Sequence, residues 1–134
     1  MTSSDTFHIY LSSGDSLDSF PDNEPGDFRV QLPQRVYLAE GKWWCGVAQL
    51  EIPENPKEPL YLCSNICMDS ITGDFKLPVL RRIRGKVTQP TNVIYVPVKG
   101  RELSTIRIFI RSLRGEAVSF ASQTSYCTLR FYRQ

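Results

Sequence analysis

The residues that could carry chemistry in this chain are few and scattered. His8 is the one histidine of 134 residues, and no sequence neighbour is placed to make it a general base. Asp15, Asp18, Asp22, Glu24 and Asp27 could hold calcium, but their irregular spacing and the intervening Pro21 and Pro25 read as a solvated loop. Cys45, Cys63, Cys67 and Cys127 form one Cys-x3-Cys pair and two isolated positions. Zinc sites pair short Cys-x-x-Cys knuckles, so the expectation is four reduced thiols acting as small buried hydrophobes, with a disulfide as the alternative. No Gly-rich phosphate loop and no nucleophile elbow appears. The residues point to no catalytic site, metal or cofactor.

Two other sets of residues could bind. Arg81, Arg82, Arg84 and Lys86 crowd one stretch, and Arg107 and Arg111 join them on an outward strand face. Such a set suits a polyanion, a sulfated or sialylated glycan, or an acidic partner. It equally suits a solvated strand edge, where charge prevents edge-to-edge pairing. The second set is aromatic. Tyr10, Trp43 or Trp44, Phe109 and Tyr132 fall opposite the core-facing register of their strands. Large rings with no core to join suggest an association surface.

Strands must position all of these residues. Residues 6–11 alternate, with Phe7, Ile9 and Leu11 facing one way. Residues 12–25 form a polar loop, and residues 26–52 hold two central strands around the turn at residues 39–42. In the first, Phe28, Val30 and Leu32 share a face until Pro33, which has no N–H to give the ladder. In the second, adjacent Trp43 and Trp44 send one ring to each side. A proline-rich link at residues 53–59 leads to further strands at residues 60–68, 75–83 and 93–98. Residues 105–111 (TIRIFIR) alternate most cleanly, with Ile106, Ile108 and Ile110 inward and Phe109 outward. Residues 117–120 form a short segment, and residues 125–132 are the last strand.

About eight strands and no helical periodicity in one domain (residues 1–134) predict a two-sheet antiparallel sandwich, jelly-roll-like. Composition agrees: 41% hydrophobic and 22% charged residues are ordinary for a globular chain. No apolar run reaches the ~18 residues a membrane span needs. The start of the chain has no basic n-region or cleavage site, so synthesis in the cytoplasm or nucleus is expected, any later extracellular life coming through a particle or lysis. Residues 1–60 carry ten acids and four bases, residues 61–134 twelve bases and four acids. Strands that interleave the two halves would turn this asymmetry into cross-strand pairing.

The stretches LPQRVYLAEGKWWCGVAQLEIP, YLCSNICMDSITGDFKLPVLRRI and IYVPVKGRELSTIRIFIRSLRGEAVSFASQTSYCTLRFYRQ together carry a family likeness. They resemble small structural proteins of Polinton/Maverick-type transposons and related adenovirus-like animal viruses. The likeness covers residues 7–133, and its positions are structural, not catalytic. It implies a jelly-roll virion component that works without enzymatic activity, assembling with copies of itself (a trimer or pentamer) and with other capsid proteins. A vertex, cement or spike-head element would fit, with a receptor- or glycan-binding head as the alternative.

Overall fold

The computed structural model describes residues 5–121 and 123–134. Eleven strands are present: β1 (Thr6–Ser12), β2 (Asp27–Tyr37), β3 (Trp43–Glu51), β4 (Leu60–Ser64), β5 (Ser70–Thr72), β6 (Phe75–Leu77), β7 (Val79–Ile83), β8 (Val87–Thr88), β9 (Tyr95–Pro97), β10 (Glu102–Arg111) and β11 (Tyr126–Arg133). The first sheet runs β1-β11-β3, with β9 and β8 one after the other along the far edge of β3, and the second runs β2-β10-β4-β7. Every pairing is antiparallel. The pairs are nested: β1 with β11, β2 with β10, β3 with β8 and β9, β4 with β7. A chain folded back on itself and wrapped into two facing sheets is a jelly roll. The fold is the expected all-β sandwich.

Alternation builds the core. Leu11, Cys127, Leu129, Phe131, Cys45 and Val47 from the first sheet meet Phe28, Val30, Leu62, Ile106, Ile108 and Ile110 from the second. Phe7 stacks on Phe131 at 4.8 Å between centroids and meets Trp43 edge-on at 5.6 Å. The acidic and basic halves do interleave, and the ion pairs Asp27–Arg107, Asp5–Arg133 and Glu102–Arg35 all join them.

Local details differ from the alternation pattern where proline intervenes. Pro78 splits residues 75–83 into β6 and β7, and β6 pairs with the unforeseen β5 as a separate hairpin. The stretch at 60–68 ends as a strand at Ser64, and residues 93–98 form a strand only over Tyr95–Pro97. Residues 117–120 contribute a single bridge, Ala117 to Arg111. Pro33 does interrupt the ladder, although β2 continues through it: pairing with β10 jumps from Gln31↔Thr105 to Val36↔Leu103.

Candidate interaction surfaces

The register of the first sheet sets its outward face. Tyr132 lies between Thr6 and Trp44, and Arg130 between His8 and Gly46. Tyr10 lies beside Thr128, and Tyr126 between Ser12 and Glu51. Tyr95, opposite Gly46, packs edge-on against Tyr132 with centroids 4.6 Å apart. Lys42 Nζ sits 5.1 Å from the Trp44 ring, whose Nε1 donates to Gln134 Oε1 at 3.2 Å. His8 and Tyr10 rings run nearly parallel, 6.3 Å apart. Tyr10 and Tyr126 are 74% and 52% exposed, so this face offers two open rings beside a half-buried cluster of three.

Gly46 makes that cluster possible. A Cβ there would lie 2.4 Å from Val93 Cγ1 and 2.7 Å from the Ile94 carbonyl oxygen. The missing side chain lets residues 93–95 close over β3. Among the described residues, Arg130 Nε is buried with no hydrogen-bond partner.

Two expected contact residues are corrected. Trp43 is the inward tryptophan, 7% exposed, with Nε1 donating to the Ala39 carbonyl at 2.8 Å. Phe109 does lie on the outward face of the second sheet, yet it is only 6% exposed. The Arg107 and Arg111 guanidiniums sit 4.2 and 4.7 Å from its ring centroid. The β5–β6 hairpin leaves β4 and β7 beside Ser64, whose N–H donates to the Pro78 carbonyl, and reaches the turn at residues 112–116. There the Phe75 ring would meet a Cβ on Gly115 at 3.2 Å. Tyr10, Trp44 and Tyr132 remain on the outward face of the first sheet.

The basic set divides in two. Arg82, Arg84 and Lys86 are exposed, and Arg81 is half-buried with Nη1 donating weakly to the Asn92 carbonyl at 3.4 Å. A shallow groove of about 380 Å³ runs between the arginines of β7 and Val87–Thr88. Arg107 is not free in the same way. Its Nε and Nη2 donate to both oxygens of Asp27 at 2.9 and 2.8 Å. Burial alone would raise the Asp27 pKa, but that bidentate bond and the charges of Arg107, Arg29 and Arg111 hold it below the ordinary carboxylate value. Arg107 and Arg111 thus form a lid on Phe109 and stand apart from the β7 groove.

The chemistry of the remaining candidates is quiet. His8 is exposed on β1. Among the described residues no cluster of three His, Cys, Asp or Glu could hold a metal. All four cysteines are free and buried. Burial pushes Cys63 and Cys127 up to about 12 and Cys67 to about 11, and raises Cys45 well above the ordinary thiol value, so none is a thiolate near neutrality. The acidic loop is pinned to β2 by neutral groups: Asn23 Oδ1 accepts from Arg29 N at 2.9 Å, Asn23 Nδ2 donates to Arg29 O at 2.8 Å, and Ser16 Oγ accepts from Gln31 N at 2.9 Å.

Tyr95, Tyr126 and Arg130 were not singled out from the sequence. The last two had a signal: the period of two in SYCTLRFY already opposes Tyr126, Arg130 and Tyr132 to Cys127, Leu129 and Phe131. Tyr95 had none, because its neighbourhood depends on Gly46, a residue distant in sequence. Neither a scan against protein-family models nor a search of curated proteins finds a match for this chain.

Proposed function

We propose that this chain is a non-enzymatic structural protein of virion type, which assembles with copies of itself and with other capsid components as a vertex, cement or spike-head element. The observation that carries the reading is the outward face of the first sheet, where Tyr10 and Tyr126 stand open beside Tyr95, Tyr132 and Trp44. Aromatic side chains are the usual anchors of protein contacts because they bury much area for little lost side-chain freedom. The nested jelly-roll pairing is a frame that capsid domains use, and lectin domains too, so the frame alone assigns nothing. The likeness of residues 7–133 to proteins of Polinton/Maverick-type elements and adenovirus-like viruses adds weight toward a virion component made in host cytoplasm or nucleus. No helix among the described residues is long and apolar enough to cross a membrane.

A receptor- or glycan-binding head is the second reading. Open tyrosine rings beside the partly buried Arg130 also suit a sugar face. Sedimentation of the wild type and of Tyr10→Ser/Tyr126→Ser at matched concentration tests both. Assembly requires a wild type heavier than one chain and a variant at least ~30-fold weaker in association, with unchanged circular dichroism. A monomeric wild type that binds a glycan array would replace the first reading with the second.

A further inference from the structure

We propose that copies of this chain associate head to tail, the β7/β8 edge of one seated on the β1/β2 edge of the next. This rests on the self-assembly reading above and names the surfaces that would join the copies. A sandwich of open sheets has two lateral edges, here β1 with β2 and β7 with β8 and β9. They differ in charge.

The β1/β2 edge is concave. A groove of about 530 Å³ opens between the two sheets, its apolar wall made by Ile9, Val30, Leu32 and Val36. Beside it the loop pinned along β2 presents Asp18, Asp22 and Glu24, all exposed. The β7/β8 edge has its own shallow groove but carries the opposite charge. Val87 and Ile94 are apolar and 51% and 55% exposed, next to exposed Arg82, Arg84 and Lys86. Among the described residues none of these six charges makes an ion pair. Opposing charges are few: Arg29 and Arg35 on β2, the latter paired with Glu102, and Glu51, in register with Val87, on the second edge.

Neither edge can pair well with its own kind. Two acidic edges or two basic edges would face like charges across an apolar strip, which electrostatic complementarity disfavours strongly. The acidic edge against the basic edge matches sign and puts Val87 and Ile94 opposite the groove. Because the two edges lie on opposite sides of one molecule, the contact is heterologous. Repeated, it closes into a ring or runs on as a filament.

Charge reversal of each edge tests this. The variants are Asp18→Lys/Asp22→Lys/Glu24→Lys, Arg82→Glu/Arg84→Glu/Lys86→Glu, and both sets together, with circular dichroism to verify the fold. Asn, Gln and Met replacements at the same positions serve if a reversed chain misfolds. In sedimentation at low salt, each single-edge reversal is expected to weaken association at least ~100-fold. An equimolar mixture of the two, and the doubly reversed chain alone, are expected to assemble again. Single-edge variants that assemble like wild type, or a doubly reversed chain that stays monomeric, would overturn the proposal. If assembly ignores both edges but breaks with Tyr126→Ser, the self-assembly reading stands and this one falls. A monomeric wild type removes both, and heparin retention lost with the basic edge would then assign that edge to a polyanion.

Discussion

Phe109 shows how a single ring can face outward and still be buried. TIRIFIR sends it away from the three isoleucines, and the arginines two positions either side fold over it. Its role is therefore in stability. We expect Phe109→Ala to cost about 3 kcal/mol in a denaturant melt, near the low end for losing a buried ring, with cation–π attraction adding to it. Asp27 completes the same cluster. The carboxylate bonds to Arg107 while both are partly exposed, so Asp27→Asn should cost about 1–2 kcal/mol at pH 7. Because the folded pKa is depressed, this contribution is whole above the unfolded value of ~3.9 and is lost as pH falls through the lower folded value. Stability of the Asn variant should thus fall less steeply below ~pH 4 than that of wild type, measured by melts at successively lower pH.

At the scale of elements, two asparagines stand in for strands that are missing. Asn23 binds the outer N–H and C=O of Arg29 on β2, and Asn65 Oδ1 accepts from Arg107 N while its Nδ2 donates to Thr105 O beyond the end of β4. Each side-chain amide presents a donor and an acceptor, as a paired backbone would. Asn23→Ala should cost about 1 kcal/mol, since water can reach the freed groups, and the Arg29 amide should exchange faster while those of β3 do not. Gly46 has the opposite task, keeping two elements close. Gly46→Ala must push Val93 and the Ile94 carbonyl away, so we expect a loss of about 1–3 kcal/mol and early exchange of the β9 amides.

Across the whole molecule, the nested pairing ties the chain ends together. β1 with β11 and β2 with β10 close contacts across nearly the full sequence length, which predicts one cooperative unit. The thiols report on it. Cys45 and Cys127 lie inside the first sheet, and Cys63 and Cys67 lie at β4 and the turn after it, all free and buried. With thiol pKa values pushed up, alkylation at pH 8 should leave all four intact in native protein and modify them together as denaturant unfolds it, followed by mass spectrometry. A cysteine modified early would mark a locally opening segment instead.

The alternation of apolar residues determined by itself that the chain is all-β, which face of most strands turns inward, and that Ile106, Ile108 and Ile110 are core. A period of two is a local property, legible within six residues. What covers the other face is not local. Arg107 and Arg111 hide Phe109, while Tyr10 and Tyr126, in an equally outward register, stay open. Which tryptophan enters the core turned on whether Trp43 joins the row of Cys45 and Phe7, and only the pairing of β3 with β11 decides that. The opposed charged edges have the same origin. Their residues are visible in the chain as an acidic first part and a basic second part, but only the sheet order sends one to β2 and the other to β7, at opposite sides of the sandwich.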